Sequence, residues 1–446
     1  MAHNLLVIAS LAVAAYQLWR VPRVWAFLVL FVPLMPRVAL AAVPGNTTAI
    51  RIDDLVIGAA LTVWFFGFRE VRLKPDATYT PAPASPATFF LALYWGVAAA
   101  CTLLGMTALT TEPLTGVLHA GRFVEYGLLY FLFYSSVTPE ELGDFVEVLR
   151  TSLLLVCAIW IVQHWTHAPS GEATPWATLH PTFAASYDFG GYLMIVTVLL
   201  YALWITGASR TAWTTAAVVA GAIVTASSES RSSLVFLGAV VAIDIVVYRR
   251  WKLALALAPV VAAAPFLLRS KKMLLLTSAI GALLTTFSFD VVRQAFATDP
   301  SLALRMSNWK LALEHWMARP FFGAGLGGYL AYARQYDKPS SIDGWYVRVL
   351  ADTGVAGLAT FVLLISALVW LLARAVRIET DPLRRAIVYG AALTVTAASI
   401  SAALVDTFAS YKIMGVFWTI VACGTRVAAD PRPPSATAGC SSDCSR

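Results

Sequence analysis

Residues 301–357 read SLALRMSNWKLALEHWMARPFFGAGLGGYLAYARQYDKPSSIDGWYVRVLADTGVAG and differ in composition from the rest of the chain. Charged and titratable side chains lie on both sides of a glycine-rich turn: Arg305, Glu314, His315, Arg319, Arg334, Asp337, Lys338, Asp343, Arg348 and Asp352. In an otherwise apolar chain, a long loop rich in polar groups is where binding and catalysis are expected. We therefore expect the functional site in this stretch.

The remainder of the chain has the composition of a membrane protein. Hydrophobic residues make up 59% of the 446 residues and charged residues 13%, about half of the roughly 25% found in soluble domains. Apolar runs recur near 4–20, 24–42, 53–68, 88–108, 119–136, 148–165, 189–206, 213–229, 232–248, 253–268, 273–289, 353–373, 386–404 and 413–425. The sequence predicts an all-α polytopic membrane protein with about 12–14 transmembrane helices.

Basic residues predict which ends of these runs face the cytoplasm. The linkers richest in Arg and Lys are 20–23, 69–74, the segment around Arg210, 249–252 and 374–385. By the positive-inside rule these linkers are cytoplasmic, and the less basic connections, including the 301–352 loop, lie outside the cytoplasm. The same assignment of sides, followed back to residue 1, places the N-terminus outside the cytoplasm.

The membrane arrangement of segment 253–289 has two alternatives. If every apolar run is taken as one span, the basic cluster at 269–272 lies outside the cytoplasm, where basic residues are not expected. Either 253–268 dips into the cytoplasmic face while 273–289 spans the bilayer, or 273–289 is an interfacial helix beneath the large loop. Arg305 lies outside in both arrangements.

Four parts follow from these patterns. We expect a transmembrane bundle over 1–300, a large periplasmic catalytic loop over 301–352, further transmembrane helices over 353–426, and a disordered cytoplasmic tail over 427–446. The net charge of +7 falls mainly in short linkers, so nucleic-acid binding is not expected. The histidines show no metal-ligand spacing, and we expect neither a metal nor another cofactor.

Three residues on the outer side have side chains suited to group transfer. Arg231 and Arg305 each lie at the end of an apolar run, where two guanidinium groups suit a pyrophosphate. The alternative for Arg231 is an arginine that snorkels to the interface or pairs with Glu229, and the alternative for Arg305 is an arginine on a helix surface. Asp343 precedes the helix that re-enters the bilayer, and its carboxylate suits either a helix N-cap or a general base. The glycine-rich turn Gly323–Gly328 lacks the context of a nucleotide loop and predicts a tight bend.

A second group of residues is expected to contact substrate: Arg122, Glu125, His180, Asp188, Trp309, Tyr329 and Trp345. Five of them have an alternative structural role. Arg122 and Glu125 are three apart on one predicted helix and suit an ion pair. Asp188 suits a helix cap, and the tryptophans suit anchoring at the membrane interface or stacking on sugars.

The order of motifs resembles the O-antigen polymerase and O-antigen ligase superfamily of bacterial polysaccharide assembly. The matching features are IRIDDLVIG at 50–58, the Glu125–Tyr126 helix, the T-x-S-x-x-S-R turn ending at Arg231, R-x-x-x-W at Arg305–Trp309, PFFGAGLGGY at 320–329 and D-G-W-Y-x-x-x-L-x-x-x-G-x-x-G at 343–357. The resemblance follows the order of elements along nearly the whole chain, and the 301–357 motifs are the most specific.

The resemblance implies a GT-C-like, multi-pass glycosyltransferase of the bacterial inner membrane, with its active site facing the periplasm. Such enzymes use a glycan on undecaprenyl pyrophosphate as donor and a glycan or lipid-linked acceptor, and other polysaccharide-assembly proteins are expected partners. Carried over to this chain, Arg231 and Arg305 would hold the pyrophosphate as leaving group, and transfer would be a single inverting displacement.

One departure from the family pattern bears on the reaction. Ligases carry a His before the re-entering helix, whereas this chain has S-I-D-G with Asp343 there. The difference favours polymerisation of O-antigen or exopolysaccharide repeat units, with ligation to lipid A-core or protein as the alternative. A transporter or flippase is a rival of another class, disfavoured because the chain shows no related halves.

Overall fold

The computed structural model describes residues 12–21, 23–35, 39–42, 49–73, 85–166, 186–228, 230–252, 300–336 and 342–430. Its helices are α1 (12–20), α2 (Val24–Phe31), α3 (Ile52–Leu73), α4 (Pro86–Thr107), α5 (Pro113–Ser136), α6 (Leu142–Thr166), α7 (Ser186–Thr206), α8 (Ala212–Ser227), α9 (Arg231–Val247), α10 (Pro300–Met317), α11 (Gly328–Arg334), α12 (Trp345–Ile378), α13 (Pro382–Ser401) and α14 (Tyr411–Ala429). Short 3-10 turns form at Val32–Leu34, Pro139–Glu141 and Thr407–Ala409.

The prediction of an all-α polytopic membrane protein is confirmed. Within the described ranges, α4, α7, α12 and α14 are long and apolar enough to cross a bilayer, and α2, α3, α8 and α9 contain shorter apolar stretches. The connection between α2 and α3 also holds a small antiparallel pair, β1 (Ala39–Ala42) and β2 (Ala49–Arg51). The larger total of spans stays a prediction, and the alternatives for 253–289 lie outside the described residues.

Helices α7 and α14 form the centre of the bundle. Of their apolar windows, 83% and 78% are buried within the protein, against 33% for α4 and for α12. Helix α7 packs against α8, α9, α13 and α14. Small residues permit this close packing, since a Cβ on Gly390 of α13 would overlap Leu199 of α7.

Helix α12 begins at Trp345, earlier than the apolar run at 353 predicts, and it kinks at Gly354 (φ 66°, ψ −165°). The kink frees backbone groups that would otherwise bond within the helix. The amide of Gly325 donates to the carbonyl oxygen of Asp352 (2.7 Å), and the amide of Val355 donates to that of Pro320 (2.9 Å). The glycine-rich turn is therefore hydrogen-bonded directly into the kink.

The turn itself has the tight backbone that its glycines predict. Gly323, Gly325 and Gly327 have φ values of 65°, 90° and 80°, which residues with a Cβ rarely adopt. A second anchor comes from α4 and the residues after it, where the hydroxyls of Thr110 and Thr111 donate to the carbonyl oxygen of Ala324 at 2.8 and 2.6 Å. The turn thus joins α4 to the kink of α12.

Gly354→Ala is expected to lower the free energy of unfolding by at least about 1–3 kcal/mol, because its backbone conformation is essentially restricted to glycine. A Cβ there would also overlap the carbonyl of Phe321. Thermal unfolding in detergent measures the loss. Gly96→Ala in α4 is the matched control, since its Cβ would have nothing within 4 Å, and equal melting temperatures for the two variants would contradict the prediction.

Candidate functional site

Helix α10 carries two residues that hold Asp343 in place. Arg305 and Trp309 are one turn apart and therefore lie on one helix face. Nε of Arg305 donates to Oδ2 of Asp343 at 3.0 Å, and the indole N–H of Trp309 donates to the backbone oxygen of Asp343. These three residues of the sequence prediction are brought together by the fold.

The alternative role of Asp343 as a helix cap is wrong. The N-cap of α12 is Gly344, at φ 106°, and it makes no side-chain cap hydrogen bond. A side chain at Gly344 would approach Nε1 of Trp309 within 3.1 Å, so the chain passes tightly between α10 and the start of α12. Asp343 remains 34% exposed and its carboxylate pairs with Arg305, which is 22% exposed.

A cavity of about 210 Å³ lies beside the start of α12. The charged and titratable residues of its polar lining are His119, Arg122, Arg348, Asp352 and Asp406. Its aromatic lining consists of Tyr94, Phe123, Tyr126, Trp345 and Phe408. A small cavity with aromatic walls and convergent charged groups is typical of a ligand site.

Arg348 is the centre of this polar lining. Its NH1 group donates to Oδ2 of Asp406, and its Nε lies 3.7 Å from Oδ2 of Asp352. The side chains of Asp352 and Asp406 are 4% and 8% exposed. Two buried carboxylates need a cation nearby, because an uncompensated buried charge is strongly destabilising.

Asp406 lies in the connection between α13 and α14, and a backbone hydrogen bond joins this connection to the start of α12. The amide of Trp345 donates to the carbonyl oxygen of Ala402 at 2.7 Å. Burial raises the pKa of the Asp406 carboxyl, Arg348 lowers it, and the Asp343 carboxylate raises it. Oδ1 of Asp406 is buried and accepts no hydrogen bond from the described residues.

Two residues of the predicted substrate-binding group line this cavity. Arg122 pairs with Oδ2 of Asp54 at 3.3 Å, and the pair with Glu125 that its spacing suggests stays a prediction. Trp345 is 5% exposed, and its ring lies nearly parallel to that of Phe123 at a centroid distance of 6.5 Å. The ring of Trp345 forms part of the cavity wall.

Tyr329 lies next to the cavity but does not line it. It is 3% exposed and packs in a second, smaller core with Leu311 and Ile342. Its amide donates to Oδ1 of Asp352 at 3.3 Å. In this structure Tyr329 supports a cavity carboxylate, and direct contact with substrate stays a prediction.

The remaining predicted residues lie at the starts of neighbouring helices. Asp188 is buried in the first turn of α7, and Arg231 is the first residue of α9. These helix starts are adjacent, since a Cβ on Gly190 would overlap Ser230. Glu125 lies within α5, and His180 lies outside the described residues.

The sequence prediction missed four lining residues: His119, Arg348, Asp352 and Asp406. For Arg348 and Asp352 a signal was present, since they are spaced i,i+4 where an apolar helix begins. Asp406 falls between two apolar runs, and nothing local connects it to the large loop. Within the described ranges, no three His, Cys, Asp or Glu side chains are grouped as metal ligands.

Comparison with known protein families identifies one domain. Residues 195–362 match the family model described as O-antigen ligase, and this segment includes Arg231, Arg305 and Asp343. No curated protein matches the chain. The match confirms the resemblance to the O-antigen ligase and polymerase superfamily, whereas Asp406 lies beyond the matched segment.

Proposed function

We propose that the protein is a glycosyltransferase, because residues 195–362 of this membrane-spanning chain match the family model described as O-antigen ligase. It transfers a glycan from undecaprenyl pyrophosphate to a hydroxyl of an acceptor sugar. The reaction takes place on the periplasmic side of the bacterial inner membrane. The observation that supports this proposal best is the Arg305–Asp343 pair within the matched domain, beside a cavity lined by charged and aromatic residues.

In the proposed reaction, Arg231 and Arg305 hold the pyrophosphate. A guanidinium donates two parallel hydrogen bonds to phosphate oxygens and stabilises the charge that develops on the leaving group. The acceptor oxygen attacks the anomeric carbon while the bond from that carbon to the pyrophosphate breaks, which inverts the configuration. Asp343 accepts the proton of the attacking hydroxyl.

The ion pair of Arg305 with Asp343 links these two roles. A pyrophosphate bound to Arg305 competes with the carboxylate for the same N–H groups, since Nε of Arg305 donates to Asp343 in the free protein. Donor binding then releases an oxygen of Asp343 from this pair, and that oxygen can accept the proton of the acceptor hydroxyl.

The cavity is suited to one sugar unit of the acceptor. Asp352 and Asp406 supply hydrogen-bond acceptors for sugar hydroxyls, Arg122 and Arg348 supply donors, and Trp345 supplies an apolar wall. The cavity volume of about 210 Å³ suits a single ring better than an oligosaccharide.

The reaction that we favour is polymerisation of O-antigen or exopolysaccharide repeat units. This preference rests on Asp343, which stands where the resemblance to ligases would place a histidine. The second candidate is ligation of the finished glycan to lipid A-core or to protein. The description of the matched family model as O-antigen ligase favours this candidate.

The size profile of surface glycans in a strain lacking the gene, with and without the gene restored, tests the proposal. Loss of long chains while single repeat units are still attached is expected for a polymerase. Accumulation of long chains on the lipid carrier would identify a ligase instead. An unchanged profile would contradict both reactions.

A further inference from the structure

A patch of large apolar side chains lies around the C-terminal end of α4. It consists of Leu104, Leu109, Met317, Phe321 and Phe322, which are 49%, 88%, 63%, 71% and 54% exposed; we call it the apolar turn patch. Exposed apolar side chains grouped in this way mark an interaction surface. The segment 317–322 belongs to the stretch that the sequence predicts as a periplasmic loop.

The position of the patch relates it to the membrane. Helix α4 is one of the candidate spans, and its last residue is Thr107. Only 33% of its apolar window is buried within the protein, and its exposed apolar side chains, such as Phe89 and Leu103, form a face suited to lipid. The patch continues that lipid-facing surface, because the hydroxyl of Thr110, just after α4, donates to the carbonyl oxygen of Ala324 in the turn.

A groove of about 570 Å³ runs between the end of α4 and the turn. Leu104, Gly105, Phe321 and Phe322 line it together with Arg319, the one charged residue among the described residues of its wall. An arginine at the edge of an apolar surface is the arrangement that places a guanidinium at the level of lipid phosphates.

We propose that the apolar turn patch is inserted in the outer leaflet of the bilayer, with phospholipid chains against Phe321 and Phe322 and a lipid phosphate at Arg319. Phe and Leu have favourable transfer free energies into a bilayer, whereas a charged side chain is tolerated at its surface. Part of the predicted periplasmic loop is therefore a membrane-contacting segment. This inference does not depend on the proposed transfer reaction.

Insertion has a consequence for the cavity. The same turn is hydrogen-bonded to the kink of α12 through Gly325 and Asp352, and Asp352 lines the cavity. Lipid contact at Phe321 thus holds the cavity at a set depth relative to the bilayer surface. The pyrophosphate of a lipid-linked donor lies at that surface.

Depth-dependent fluorescence quenching tests the inference with full-length protein in phosphatidylcholine and phosphatidylglycerol nanodiscs. Cys440→Ser and Cys444→Ser remove the two tail thiols, while Cys101, Cys157 and Cys423 are buried. An environment-sensitive fluorophore is then attached in four single variants: Leu109→Cys, Phe321→Cys, Arg319→Cys and Gln335→Cys. Gln335 is the matched control, since it is an exposed polar residue elsewhere in the same stretch.

The expected pattern distinguishes three environments. Labels at Leu109 and Phe321 are quenched by spin labels on lipid acyl chains and are several-fold less sensitive to aqueous iodide than the label at Gln335. The label at Arg319 is quenched most by a spin label on the lipid headgroup. Iodide quenching at Leu109 and Phe321 as strong as at Gln335 would overturn the inference. Protection at both positions from iodide and from lipid spin labels would also overturn it, because protein rather than lipid would then cover the patch.

Discussion

Asp343→Asn is expected to lower the rate of glycan transfer by about 10²–10⁴-fold, the usual contribution of a general base, without lowering the amount of protein in the membrane. Asparagine has nearly the same shape and retains an oxygen that accepts the hydrogen bond from Arg305. It has no carboxylate to take the proton of the acceptor hydroxyl. Single-turnover transfer from a lipid-linked donor, with the protein in nanodiscs, measures the loss.

The pH profile separates a base from a residue that only positions Arg305. Loss of a base removes the limb of the profile on which the rate rises with pH, whereas loss of positioning lowers the rate at all pH values alike. Glu147→Gln is the control, because Glu147 forms an exposed pair with Arg20 at 2.7 Å and such pairs contribute little. A transfer rate for Asp343→Asn within a few-fold of the control would remove Asp343 from the proposed role.

Arg348→Ala is expected to lower the free energy of unfolding by about 3–5 kcal/mol, because it leaves the buried carboxylates of Asp352 and Asp406 without their shared cation. Thermal unfolding in detergent measures the change. Arg20→Ala, which removes a partner from an exposed pair, is expected to cost only about 0–1 kcal/mol. Equal losses for these two variants would show that the Arg348 pairs contribute no more than surface pairs.

The stability of the Arg348→Ala variant is expected to fall as pH rises. Burial raises the pKa of the Asp406 carboxyl and Arg348 opposes that shift, so its removal raises the pKa further. The folded state then binds more protons than the unfolded state, and stability falls as pH rises above the ordinary carboxyl value. Arg348→Ala is therefore expected to melt closest to the wild type at acidic pH, and Asp406→Asn added to it should recover part of the loss at neutral pH.

The functional stretch could be located from the sequence because polar residues are costly in an apolar chain. Arg305, Trp309 and Asp343 lie within one polar segment. They come into contact because the chain after α10 folds back towards the start of α12. The tight turn at Gly323–Gly328 was predictable for a similar reason, since several closely spaced glycines permit backbone conformations that other residues avoid.

The cavity was not predictable from local pattern. Arg122, Arg348 and Asp406 come from three separate parts of the chain, on α5, on α12 and in the connection after α13. Their convergence depends on the crossing of helices and on the hydrogen bond from Trp345 to Ala402. No periodicity in a single segment carries that information.

The sequence by itself determined the class of the protein, because apolar runs of bilayer length form helices wherever backbone groups must bond within their own segment. It also determined that the charged groups collect in the 301–357 stretch. Only the tertiary structure decided that Asp343 pairs with Arg305 instead of capping α12, and that Arg348 joins Asp352 to Asp406. Those partners are distant in sequence, and a buried charge takes whichever counter-charge the packing of the helices brings within reach.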